Sequence, residues 1–337
     1  MSPFEIFSGR NFFTTSAILF SATLLAPMAS ATTFNGDLFY TKFQGGTGVY
    51  KVLYSYDDVA HTFNLAPSVA IAPLNGSDGI IFAPDGDLLV GGQAPVAYKL
   101  HSDGTNILSQ PTNSGGAFHL TLDPTGTKFY TSNFGGPLSV VPLAPFGPGV
   151  AHTINGDDNG VTGIAFAANN ANVFYVNGQP NANGRVGKID LNTFTTQFLF
   201  SALSAHGMVY DSFTNLFTLF GAGAVGSFDD TGANFKQLTN ASGSCDYDQG
   251  AVDGKGHALI AGCNGISFID YSVSHDITSA SNFTAFIQRA DFTFIDDVAP
   301  LSGPGSNPNV PEPSGLGLLG VALAGLFGVR RRSATRN

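Results

Sequence analysis

The chain contains no tryptophan, only two cysteines, and only two glutamates, Glu5 and Glu312, both close to its ends. Between residues 32 and 309 every acidic side chain is therefore an aspartate. That stretch holds nine Lys or Arg against 22 Asp, a net charge of −13. So few cations exclude a nucleic-acid or anionic-lipid partner, which needs a basic face. Divalent cations, neutral glycans and basic partners remain open. The lack of tryptophan removes the largest aromatic platform for a sugar, although ten Tyr remain. No P-loop, G-x-S-x-G, H-E-x-x-H or C-x-x-C pattern occurs, so the common signatures of nucleotide, hydrolase, zincin and thiol-redox chemistry are missing. Long helical periodicity is missing as well. Abundant instead are Gly, Asn, Thr, Ser and Phe, a mixture that favours strands and tight turns.

Hydrophobic runs occur only at the two ends. After Arg10 comes the apolar stretch Ala17 to Ala26, then Ala29-Ser30-Ala31, a small-x-small cleavage pattern. Residues 1–31 read as a signal peptide removed by signal peptidase. At the other end "VPEPSGLGLLGVALAGLFGVRRR" runs from Val310 to Arg332. Its uninterrupted apolar part, Gly315 to Val329, would reach about 22 Å as a helix, short of the roughly 30 Å hydrocarbon core. Arg330, Arg331 and Arg332 would hold its end on the cytoplasmic side.

Pro311, Glu312 and Pro313, then an apolar helix, then an arginine cluster resemble the PEP-CTERM sorting signal of Gram-negative bacteria that make exopolysaccharide. The resemblance covers residues 310–337. It implies exosortase as a partner, transient anchoring in the inner membrane, and delivery to the cell surface or extracellular matrix. A plain C-terminal anchor is the alternative the residues leave open. In an exported protein Cys245 and Cys263 are expected to pair, with two buried free thiols as the alternative.

The intervening body, residues 32–301, repeats. "GIIFAPDGDLLVGG" from Gly79, "HLTLDPTGTKFYTSN" from His119, "GIAFAANNANVFYVNG" from Gly163, "GMVYDSFTNLFTLFG" from Gly207 and "GAVDGKGHALIAGC" from Gly250 start 40, 44, 44 and 43 residues apart. Each is a strand, a polar turn and a second strand. A third strand follows at a steady offset and fainter fourth strands follow that, at "NILSQ", "TFTTQFLF", "NFKQLT" and "NFTAFIQ". Four strands per 40–45 residues is the arithmetic of a β-propeller blade. "DFTFIDDVAPL" near the C-terminus lacks later strands, and "NGDLFYTKF" near the N-terminus lacks an earlier one. Joined, they complete a sixth blade and close the ring. The expected fold is thus an all-β, six-bladed propeller, followed by a Pro/Gly/Ser/Asn linker at 302–309.

The repeat resembles the six-bladed propellers of the gluconolactonase/regucalcin, NHL-like and streptogramin lyase groups. Some of these use a channel metal, which the resemblance makes an expectation here. In a propeller the residue before each inner strand points at the central channel. Reading that position, with its neighbour, gives Asp78, Phe118 and His119, Thr162, His206, Asp248 and Gln249, and Asp296 and Asp297. Asp78, His206, Asp248 and Asp296 are the candidate ligands, with calcium, magnesium or zinc as the candidate ion. Turn formation is the competing role for the aspartates. "DDNG" at Asp157 and "DYDQG" at Asp246 lack calcium-loop spacing and read as turns. No catalytic residue is assigned. The expected function is non-enzymatic binding of exopolysaccharide or another envelope component. The alternatives are a metal-dependent lactonase or lyase, and a purely structural matrix protein.

Overall fold

In the computed structural model the residues described are 33–300, save 169–171, 179–183, 203–204, 222, 240–246 and 263; of Tyr247, Asp248 and Pro300 only the backbone is described. The expected signal peptide (1–31), the expected linker (302–309) and the sorting segment, including Pro311, Glu312, Pro313, Arg330, Arg331 and Arg332, lie outside the described residues, as do Cys245 and Cys263.

Short apolar alternations, interrupted every few residues by Gly, Asn or Asp, give strands too brief for anything but narrow sheets. The chain enters with β1 (Thr33–Lys42), β2 (Gly48–Asp57), β3 (Thr62–Leu65) and β4 (Val69–Ala72). Blade 2 is β5 (Ser77–Phe82), β6 (Leu88–Gly92), β7 (Val96–Leu100) and β8 (Leu108–Pro111). Blade 3 is β9 (Leu120–Leu122), β10 (Lys128–Thr131), β11 (Leu138–Pro142) and β12 (Val150–His152). Blade 4 takes a small extra strand, β13 (Asn155–Gly156), before β14 (Gly163–Phe166), β15 (Val173–Asn177), β16 (Arg185–Asp190) and β17 (Thr195–Ser201). Blade 5 is β18 (Ala205–Asp211), β19 (Leu216–Gly221), β20 (Ala224–Phe228) and β21 (Lys236–Thr239). Blade 6 is β22 (Tyr247–Val252), β23 (His257–Gly262), β24 (Gly265–Asp270) and β25 (Phe283–Gln288). After a short 3-10 turn at Ala290–Phe292, β26 (Ile295–Pro300) ends the described chain.

Within blades 2 to 6 the main strands pair antiparallel in sequence order, while β13 adds parallel to β17. The remaining sheet is β26-β1-β2-β3, with β4 also on β2. Here the last strand of the chain pairs antiparallel with the first, Leu38 opposite Pro300 and Tyr40 opposite Val298. This closing blade makes the ring six-membered and covers two edges that would otherwise be open for pairing. The outer strand β12 and the added β13 carry too little apolar alternation to show in the sequence; they form because their neighbours already present a free edge.

The core lies between blades. Phe174, Phe217 and Phe228 pack where blade 4 meets blade 5, with ring centroids 4.6, 4.9 and 5.1 Å apart. Tyr40, Leu259 and Phe268 belong to the cluster between the closing blade and blade 6. Phe39, Val49, Ile80 and Val90 fill the next seam, between the closing blade and blade 2. Among the described residues phenylalanine thus does much of the filling that tryptophan would do elsewhere, each buried ring contributing roughly 2–3 kcal/mol.

Candidate metal site at the inner strands

Six inner strands, β5, β9, β14, β18, β22 and β26, follow one another around the ring, and β26 closes against β5. Four of them carry a β-bulge at the same place. In blade 2, Ser77 faces Gly92 and Ile80 faces Val90, so Asp78 and Gly79 share one partner position. In blade 5 the register shifts between Ala205 and Gly207, leaving His206 as the extra residue. In blade 6 it shifts between Tyr247 and Gly250, across Asp248 and Gln249. In the closing blade Asp296 and Asp297 together oppose Thr41. All four candidate residues therefore occupy bulges, which bend a strand and re-aim its side chains.

The bulge in blade 2 sits against its neighbour with no room to spare. A Cβ on Gly79 would come 2.0 Å from the Phe118 carbonyl oxygen, and one on Gly91 would come 1.7 Å from that of Ala117. Glycine is required at both positions because backbone meets backbone there.

The structure brings together Asp78, His119 and Asp297. One donor atom from each lies within 4.8 Å of the others. Their exposures are 3%, 4% and 0%. They come from three consecutive inner strands: β5, the residue before β9, and β26. His119 Nε2 stands 3.9 Å from Asp297 Oδ1. Gln93 Nε2 donates to Asp78 Oδ2 at 2.5 Å, and the Gln249 backbone N–H donates to Asp297 Oδ1 at 3.0 Å. Thr41 ties the backbones together: its hydroxyl donates to the Asp78 carbonyl and accepts the Asp297 N–H at 3.1 Å. Charge-assisted bonds of this kind hold carboxylates in fixed orientations.

Of the four residues singled out in the sequence, Asp78 lies in this group. Asp296 is buried beside it, but the next residue, Asp297, is the member. His206 is on β18, across the ring. Its ring meets Phe134 edge-on at 5.8 Å and its carbonyl accepts from Thr162 Oγ1 at 3.0 Å. Asp248 is placed in its bulge by the backbone alone. His119 and Asp297 were each the second member of a doublet in the sequence. The signal for them was the doublet before the inner strand: in the closing blade a bulge sets which member turns inward, and in blade 3 the regular strand begins only at Leu120, directly after His119. Asp158, in "DDNG", is a structural hub: it accepts from Tyr175, from Asn177 Nδ2 at 3.3 Å and from Arg185 Nε at 2.7 Å.

A second feature lies at the ring-closing seam. A cleft of about 100 Å³ is lined by Phe34, Tyr54, Tyr56 and Phe268, with Asn35, Asp253, Lys255 and His257 among its polar groups. His257 Nδ1 is 2.6 Å from Asp253 Oδ2, which fixes the imidazole at the cleft wall.

Comparison with known proteins decides one end of the chain. Residues 309–332 match the PEP-CTERM protein-sorting motif. The PEP-CTERM motif is one that exosortase recognises, and it directs export and membrane-anchored sorting toward the cell surface. No curated protein matches the chain in sequence. Among solved structures the chain is similar to the Myceliophteria thermophila Cps50 (Swd1) beta-propeller domain, at 10% identity and a TM-score of 0.47, covering 78% of this chain and 90% of that one. Among the described residues no helix is long and apolar enough to cross a membrane.

Proposed function

We propose that this PEP-CTERM propeller is a non-enzymatic binding protein of the surface or extracellular matrix of a Gram-negative bacterium, and that its ligand is exopolysaccharide or another glycan of the envelope. The aromatic cleft at the closing seam carries this reading. Half-buried Phe34 and Tyr54 beside exposed Asn35 and Lys255 offer ring faces for sugar C–H groups and side chains for hydroxyls. The acidic surface suits a neutral glycan or one bridged by cations. Burial of Asp78, His119 and Asp297 favours binding over lactonase or lyase chemistry, because a substrate would have little approach to them.

The test is co-sedimentation of the exported protein with exopolysaccharide purified from its own host. Saturable binding is expected, reduced about tenfold by Tyr54→Ala together with Lys255→Ala, a loss in keeping with one stacked ring and one polar contact. Absence of binding by the unaltered protein overturns the reading.

A further inference from the structure

We propose that Asp78, His119 and Asp297 bind one divalent transition-metal ion, zinc or manganese, which fastens the closing strand β26 to β5 and to the start of β9. This does not rest on the glycan reading.

The donor set comes first. One imidazole nitrogen and two carboxylate oxygens suit zinc or manganese; calcium takes six to eight oxygens, which this group does not supply. Distance is next. A tetrahedral zinc holds its donors roughly 3.4 Å apart. Donor atoms already within 4.8 Å of one another need only side-chain torsion to close on an ion. Charge agrees: two carboxylates withdrawn from water repel one another, and a divalent ion neutralises both at once.

Placement gives the ion its role. Asp297 belongs to the last strand of the described chain, and that strand makes the ring whole through β1. Asp78 and His119 belong to the next two blades. A bond through the ion joins three blades at a point where Thr41 already links two. Gln249 on the adjoining inner strand β22, whose backbone N–H holds Asp297, has its side-chain Oε1 buried with no hydrogen-bond partner among the described residues. Ion binding that is available only to the closed ring stabilises that ring over the open chain by mass action.

The experiment uses the exported protein, stripped with chelator and titrated calorimetrically with zinc, manganese and calcium chloride in turn. One equivalent of zinc or manganese is expected, with calcium at least tenfold weaker and a higher unfolding temperature for the loaded protein. Asp297→Asn keeps an oxygen for the Gln249 N–H, and His119→Gln keeps a polar side chain. Each is expected to lower zinc affinity at least tenfold. Cobalt loading of the unaltered protein gives a readout that needs no variant: nitrogen and oxygen coordination without a thiolate charge-transfer band. Stripped protein that takes up neither zinc nor manganese overturns the proposal. So does a folded variant that binds as the parent does, or a thiolate band, which would assign the ion to Cys245 and Cys263.

Discussion

Tyr56 on β2 donates a hydrogen bond at 2.5 Å to Asp270 Oδ2 on β24, joining the closing blade to blade 6. Tyr271, one residue further on, does the same toward blade 5, donating to Asp211 Oδ2 at 3.0 Å. Consecutive residues thus brace blade 6 from both sides. Burial, and then the carboxylate partner itself, push the Tyr56 phenol well above its ordinary range, so it stays a donor.

Removing that brace has a measurable cost. Tyr56→Phe keeps the ring packed on Phe268 and Phe283 but takes one bond from a buried carboxylate. A loss of about 2 kcal/mol in urea unfolding at pH 7 is expected. Burial works against the Asp270 charge, but the bonds from Ser272 and Tyr56 outweigh it and hold its pKa below the usual carboxylate value. A group depressed in the folded state contributes stability above its unfolded pKa and loses it as pH falls through the folded one. The gap between Tyr56→Phe and the parent should therefore narrow below about pH 4. A gap that widens in acid would contradict this.

Gly91→Ala should be among the most damaging single changes in the ring. Its methyl would overlap the Ala117 carbonyl, so blade 3 must retreat from blade 2 beside Asp78. About 3 kcal/mol or more is expected. Gly86→Ala is the control for space: a Cβ there meets nothing within 4 Å, although its φ of +89° leaves backbone strain. The two should separate clearly in thermal unfolding.

A disulfide between Cys245 and Cys263 is expected in the exported protein. Tyr247 pairs with Gly262 at the end of the β22–β23 hairpin, and the two cysteines follow just outside that pair in sequence. Closing so short a loop contributes about 3 kcal/mol in the chain-entropy account. Alkylation with and without reductant, read by mass spectrometry, distinguishes the bridge from two free thiols. Labelling of both thiols without reductant would rule the bridge out.

Processing at the sorting motif should remove the tail. The matched segment, residues 309–332, contains the Pro311–Pro313 motif, the apolar run and the arginine cluster. The secreted form should therefore lack Gly315 to Asn337. Replacing Glu312 with Ala should leave the chain in the membrane fraction. An intact C-terminus in the medium would refute cleavage there.

The blade count was legible because the hairpin turns and the apolar strands around them recur at a near-constant spacing. Even the closing blade could be read, since β26 and β1 each look like half of a unit. Less visible were β12 and β13, whose few residues pair only because β11 and β17 offer an edge. The sorting signal was legible for a different reason: it works as a linear motif, and its PEP residues, apolar run and arginines are contiguous.

The channel group was only half visible. Sequence marked the positions before the inner strands and named Asp78. It could not say which member of each doublet turns inward. That depends on the bulge, where two residues oppose one and the usual alternation of faces fails. In the closing blade the bulge at Thr41 selects Asp297 over Asp296. In blade 3 the inner strand starts late enough that His119 is the residue presented. His206, alike in type and position, lies across the ring and is not part of the group. Local pattern determined most of the strands and turns, the number of blades and the C-terminal sorting motif. Which blades are neighbours across the ring, and that Asp78, His119 and Asp297 come together, was decided only when the last strand paired with the first, because ring closure fixes distances between residues that the chain itself keeps far apart.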